Sequence, residues 1–572
     1  MHDFDKTNRL VYLLGTLLTA LPIMSPAADA VTETTAAPGT GSAAGNTAPA
    51  GAAASGTTST AGNTAAAGSN AATTPAQRVN INEYIVRGNT VLTSREIETA
   101  VYPFLGPQRT LTDVQGAQKA LQQVYQSKGY QSVYVELPQQ QVSGGVVYLM
   151  VTETTVGRVR VTGAKYHSPL AIRNDVPALD EGKVPNFSQV QQQLTDINRD
   201  GSRQVTPLVK EGIVPGTMDV DLSVADKNPW SGSLTVNNDY SADTKELRTV
   251  GTITNSNLWQ KGHSASLTYF VAPQDRDNAE VWSGSYSAPL DKLWTLRFSG
   301  YHSDSNVASV GGTNVLGKGY SYGAALVYSL PSTGAWAHSL SMGLDFKNFD
   351  ENLTYGGSED KVPLKYSPVT LSYNGYYFSN QTQGNLGLSV IMASSNFLGY
   401  GSDWSDFDYK RYKASPDFAA LKGDAGITET FKKDWQLALS GSFQLASGPL
   451  VSNEQFAAGG ATSVRGYLAA EQSADDGMIG SVELRTPSIA SWLGSPLTEL
   501  RLHTFADGAE LWLRDALPDQ DDRFDMASVG VGMQANVSTW LSGSLDLGLP
   551  LVDGPNTDKY DPRAQFSLSA NF

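Results

Sequence analysis

The sequence predicts an all-β transmembrane barrel of about sixteen antiparallel strands, preceded by two small α+β domains. Three observations carry that prediction. Apolar and polar residues alternate with period two from Trp230 to Phe572, a β-α-α-β-β order occurs twice between Val79 and Val224, and an export pattern opens the chain. Charged residues are only 17%, aromatics reach 9% and Gly numbers 55, a mixture suited to strands with a small-residue or aromatic face. The formal net charge of -16 argues against nucleic acid as a partner, because phosphate neutralisation needs clustered Lys and Arg. Cys is absent from the 572 residues, which excludes disulfides, thiol chemistry and thiolate metal sites.

Residues 1–30 read as a signal peptide: Lys6 and Arg9 precede an apolar stretch from Leu10 to Met24, and Ala28-Asp29-Ala30 supplies the small residues of a cleavage site. Residues 31–78 are Ala, Gly, Thr and Ser with almost no charge or aromatic side chain, the composition of a flexible linker with no amphipathic helical pattern. The first small domain, 79–154, opens with the alternating Asn80 to Val86, turns at Gly88-Asn89 and starts a helix at Thr93-Ser94-Arg95-Glu96. A second helix spans about Thr112 to Ser127, with Val114, Ala117, Leu121 and Val124 at helical spacing and Gly129 ending it. Ser132 to Leu137 and Gly145 to Val151 then read as strands.

The order repeats in 155–228: Arg158 to Val161 as a strand, helices near Pro169 to Ala178 and Phe187 to Asn198, and strands at Gln204 to Leu208 and Met218 to Val224. In order and length both copies resemble POTRA domains. The remainder, 229–572, reads as the barrel. Phe566, Leu568, Ala570 and Phe572 fall on one face and Gln565, Ser567, Ser569 and Asn571 on the other, one facing lipid and one water. Helices are not expected after Trp230. The aromatic Phe572 closing the last strand reads as the assembly signal of an outer-membrane barrel, with the barrel-assembly machinery and outer-membrane lipid as partners.

Two short motifs stand out within the barrel. Val464-Arg465-Gly466-Tyr467 places a fixed cation in a Gly-rich loop, and Phe505-Ala506-Asp507-Gly508 offers a carboxylate in an otherwise apolar strand. A pair between Arg465 and Asp507 across the lumen is the natural proposal, because the planar guanidinium binds a carboxylate bidentately and stays charged when partly desolvated.

On these residues, together with Val205 to Lys210 and Gly216 to Val220 ahead of the barrel, residues 79 to 572 resemble the two-partner secretion transporters of the haemolysin-activation and adhesin-secretion family. The resemblance implies a Gram-negative outer-membrane barrel with periplasmic POTRA domains and an inward loop, here 448–476, between the eleventh strand (434 to 446) and the twelfth (477 to 487). It places Arg465 at the loop tip and Phe505, Asp507 and Gly508 on the wall of the thirteenth strand (498 to 507). Gly directly follows Asp, a small departure from the family pattern. A plug helix common in the family has no counterpart in 31–76. The resemblance also implies a secreted exoprotein as partner, moved without nucleotide hydrolysis.

Capture is assigned to Ser132, Val133, Tyr134, Val135, Glu136 and Leu137. Val146 to Val151 is apolar enough for the sheet centre, which leaves 132–137 as an edge to which an extended segment can add. The alternatives are an insertase of other barrel proteins, or an outer-membrane porin or enzyme. No catalytic, cofactor or metal site is expected. Gly319-Tyr320-Ser321-Tyr322-Gly323 matches a hydrolase elbow but continues as a strand, the six His residues are scattered, and the acidic runs 403–408 and 519–525 lack calcium-loop spacing and read as solvated loops.

Overall fold

A computed structural model describes residues 78–572 apart from 199–200, 243, 306, 311–312, 317 and 356–357, and leaves out the side chains of 278, 306–317 and 350–362. The expected signal peptide, linker and missing plug helix lie outside the described residues. In the first small unit, Glu83–Arg87, Val146–Glu153 and Val133–Glu136 form a three-stranded sheet in that order, with the first pair parallel and the second antiparallel. Two helices cover one face, Ser94–Val101 and Leu111–Ser127. Each starts with a capping box, Thr93 with Glu96 and Thr110 with Asp113, which satisfies backbone N–H groups that the first turn leaves over. Val114, Ala117 and Leu121 are buried, and the next inward position is Tyr125 rather than Val124, its hydroxyl donating to Asn89 Oδ1 at 2.6 Å.

The second unit repeats the sheet, ordered Thr155–Thr162, Thr217–Asp226, Arg203–Glu211, with helices Pro169–Asn174 and Phe187–Asn198 against it. The two units meet at Gly129, whose carbonyl accepts from Phe187 N at 2.8 Å. Its φ of +91 and the approach of Asn186 Oδ1 to 2.4 Å from where a Cβ would lie explain glycine there. The second unit also docks on the barrel: Gln260 Nε2 donates to Tyr166 O (2.8 Å), Ser168 N donates to Gln260 Oε1 (3.0 Å), and Lys292 pairs with Asp196.

The barrel is closed and antiparallel, with sixteen strands. They are Trp230–Asn237, Arg248–Leu258, His263–Val271, Glu280–Pro289, Trp294–Ser303, Gly319–Ser329, Trp336–Tyr355, Ser358–Tyr366 continued by Val369–Phe378, Thr382–Ala393, Phe418–Thr430, Gln436–Ala446, Asp476–Arg485, Leu497–Trp512, Arg523–Val537, Leu541–Pro550 and Arg563–Asn571. The eighth is a single strand broken at Ser367-Pro368, its first half pairing with the top of the seventh and its second half with the bottom. Alternation sorts the faces. Phe298, Leu340, Val531, Leu547 and Leu568 are exposed on the outer wall, while Gln444, Asp507 and Gln565 are buried inside. Trp230, Trp259, Trp294, Trp435 and Trp540 sit at the rim facing the small units, where an amphipathic ring suits a membrane interface.

Helices do occur beyond Trp230. Trp404–Lys410 follows Asp403 in the loop between the ninth and tenth strands, so the acidic run 403–408 is helical rather than an open solvated loop. Burial of Phe407 against Tyr366, Phe418 and Leu450 holds it, and Asp406 in the first turn and Lys410 in the last suit the helix dipole. A short Ala490–Leu493 helix lies in a turn at the opposite rim.

Candidate functional site

The chain leaves the eleventh strand at Ala446 and returns at Asp476, and the intervening loop is held inside the barrel. Its root hangs on Gln444, whose Nε2 donates to the carbonyls of Glu454 (3.0 Å) and Asp475 (2.9 Å). Asp475, fully buried, accepts from Leu450 N (2.8 Å), Gln455 Nε2 (3.1 Å), Arg411 Nη2 (2.7 Å) and Arg514 N (2.8 Å), which ties the root to two neighbouring loops. Glu454 reaches the wall. It accepts from Lys347 Nζ on the seventh strand (2.5 Å) and from the Tyr366 hydroxyl on the eighth (2.8 Å).

From there a small hairpin, Phe456–Ala458 with Gln472–Ala474, carries the loop across the lumen to its tip. Arg465 grips the opposite wall. Its Nε donates to Asp507 Oδ2 at 2.8 Å and Nη2 to Oδ1 at 2.9 Å, the fork-on-fork geometry, while its backbone N donates to Oδ2 at 3.1 Å. Nη1 donates to Glu483 Oε2 at 2.5 Å, and the guanidinium stacks 3.6 Å from the centroid of Phe505. The partners lie on the twelfth and thirteenth strands; Ser481 Oγ steadies Asp507 at 2.7 Å, and Asp546 on the fifteenth comes within 3.9 Å of Arg465.

The wall is recessed to take the tip. Gly466 has φ +93 and presses on Gly548, where an added Cβ would lie 2.6 Å from Gly466 N. On the fourteenth strand Gly530 clears the Phe505 ring and Gly532 clears a contact between His503 and Asp546, with a Cβ at either meeting them at 2.2 to 2.4 Å. Gly466 N donates to Gln565 Oε1 (3.0 Å), and fully buried Tyr467 donates to Val552 O (2.7 Å). Gly508 follows Asp507 on the wall with only the Met526 carbonyl near its Cβ position.

The structure thus brings together Val464, Arg465, Gly466, Tyr467, Phe505 and Asp507, and adds Glu483, Ser481, Asp546 and the glycine recess, which sequence reasoning missed. Parity was the available signal: Ser481 pairs with Asp507 and Glu483 with Phe505, so once Asp507 faces the lumen they do too. Phe572 sits elsewhere, on the seam between last and first strands, exchanging backbone hydrogen bonds with Gly232 at 2.9 and 3.0 Å. The 133–136 strand lies far from the lumen at one edge of the first sheet, next to Val146–Glu153, with Tyr134 and Glu136 exposed and Val133 and Val135 buried. Ser132 is buried ahead of it and Leu137 packs against the core. Among the described residues no three His, Asp or Glu side chains are grouped to hold a metal ion.

A POTRA domain model, ShlB-type, matches residues 79–154, and the model described as haemolysin secretion/activation protein ShlB/FhaC/HecB matches 216–535, more than half of the chain. The chain belongs to that family. The family is one of two-partner secretion transporters, not of enzymes; its barrel resides in the outer membrane and its POTRA domains in the periplasm. Among curated relatives, the outer membrane transporter CdiB of Escherichia coli O6:K15:H31 is 25% identical over 501 residues, covering 82% of this chain and 79% of that protein. The CdiB of Dickeya dadantii is 23% identical, covering 81% of each. The fold is similar to the solved structures of Escherichia coli CdiB (TM-score 0.55, 21% identity, 88% and 93% of the two chains) and of Haemophilus ducreyi BamA lacking POTRA domains 1-3 (TM-score 0.53, 16% identity, 86% and 100%).

Proposed function

We propose that this family member captures an unfolded exoprotein in the periplasm through its first POTRA domain and passes it through the barrel, with movement of the Arg465 loop opening the path. The observation that carries this reading is the manner of obstruction. The loop lies inside the barrel, is tied to opposite walls by side-chain contacts and contributes no strand to the barrel, so it can leave without breaking the barrel sheet. Capture is assigned to 132–137, where β-augmentation supplies affinity through main-chain hydrogen bonds. The sequence offers no phosphate-binding loop, and folding of the cargo outside supplies the drive.

The test compares extracellular proteins from cells carrying the intact chain, Arg465→Ala and a deletion of residues 79–154, with equal amounts of barrel in the membrane. Loss of one secreted protein on deletion supports the transporter. The likeness to BamA, which shows the fold alone, motivates an insertase as second reading; that reading predicts changes in many outer-membrane proteins and an unaltered secretome.

A further inference from the structure

The edge assigned to capture is not bare. In an antiparallel pair alternate residues turn both backbone groups away from the neighbour, and on this strand those residues are Val133 and Val135. Gln122 Oε1 accepts from Val135 N at 3.0 Å and Gln122 Nε2 donates to Val133 O at 3.3 Å. Gln118 Nε2 donates to Val135 O at 2.7 Å. The two glutamines are one helical turn apart on Leu111–Ser127, and their amides present to the strand the alternating donors and acceptors that a neighbouring strand would. Gln115 and Gln126 extend the same helical face to either side, both exposed.

We propose that Gln118 and Gln122 are a resident stand-in for the incoming strand. They keep the edge closed to chance partners and yield three backbone groups to an extended polypeptide segment that displaces them. This rests on the capture reading above. Selectivity then comes from competition: a segment binds when its own main-chain bonds and its fit beside exposed Tyr134 exceed what the amides provide. The arrangement also protects an otherwise sticky edge from pairing with a second copy of the chain.

The test uses the full chain in detergent and a lysine-flanked peptide of alternating Thr and Val as probe. Removing both amides by Gln118→Ala with Gln122→Ala tightens peptide binding by about tenfold or more, because three resident hydrogen bonds no longer compete. In the absence of peptide, deuterium exchange at the Val135 amide accelerates by a similar factor. Gln122→Glu keeps the acceptor for Val135 N and loses the donor to Val133 O, so its affinity falls between the two and serves if the double variant is unstable. Unchanged or weaker peptide binding in the variants, or unchanged exchange at Val135, overturns the inference. If secretion still requires residues 79–154 while these affinities do not move, this inference fails alone; a probe that binds neither parent nor variant overturns edge capture with it.

Discussion

Arg465→Lys separates charge from geometry at the loop tip. An ammonium keeps the positive charge but replaces a planar fork with one donor atom, which cannot span both oxygens of Asp507 and reach Glu483. The substitution loses at least one charge-assisted hydrogen bond, about 1.5–3 kcal/mol, and the guanidinium face over Phe505, about 0.5–1 kcal/mol. With partial recovery by the remaining contact, about 2–3 kcal/mol of docking free energy disappears, which multiplies the undocked fraction by roughly 30- to 150-fold. The absence of native cysteine makes a single-site assay possible: Leu468→Cys, buried beside the tip, reacts with a thiol reagent only when the tip lifts. In the Leu468→Cys background, Arg465→Lys should raise the labelling rate by that factor, and Arg465→Ala by more, since removing one partner of a buried pair costs about 3–5 kcal/mol. A lysine variant as slow as the parent would refute the bidentate argument, and one as fast as alanine would refute any share for charge.

Gly548→Val fills the recess under Gly466 and should expose the tip about as much as Arg465→Ala while the barrel keeps its heat-resistant migration in gels. Glu454→Gln leaves Lys347 without its carboxylate; labelling of Val451→Cys at the root should accelerate, whereas Arg465→Ala should leave that root cysteine slow. Acid should loosen the second POTRA unit: hydrogen bonds from Arg160 and then Lys210 pull Asp221 down to about 2, so its stabilising share is complete above the ordinary carboxylate range and is lost as pH falls toward 2. Amide exchange across 155–226 should rise over that interval, and Asp221→Asn should flatten the rise.

Period-two alternation made the strands legible because a barrel wall sorts side chains between lipid and lumen at every step, and the parity of 565–572 is the clearest case. The tip could be read because its chemistry is concentrated in two tetrapeptides. Its setting could not. Glu483 and Asp546 join only through hairpin register, Gly530, Gly532 and Gly548 look like ordinary barrel glycines until a ring or a loop is placed against them, and Glu454 meets Lys347 across a sequence separation of 107. Helix Trp404–Lys410 escaped because its acidic residues suggest solvent, while the deciding residue, Phe407, finds its partners on the eighth strand, at the start of the tenth and in the inward loop. The glutamines along the 133–136 edge were hidden for the opposite reason: on a helix surface they read as solvated polar residues.

The short passage between the second POTRA unit and the barrel works as a lever arm. Strand Thr217–Asp226 ends three residues before the first barrel strand, and the connecting residues are fixed at both ends by Lys227 N to Ser202 O and Ser256 N to Pro229 O, each 2.9 Å. Asp226 meanwhile clasps the Tyr166 and His167 amides, next to the groups that grip Gln260 in the turn between the second and third strands. A swing of the periplasmic arm therefore finds no slack to absorb it and arrives as torque on the first strand. That strand meets the last one from Asn237–Ser567 to Ser233–Asn571, with the Gly232–Phe572 backbone pair one step further, while its register with the second runs from Trp230 to Asn237. Rotation applied in the periplasm is thus delivered to the shorter of the first strand's two seams.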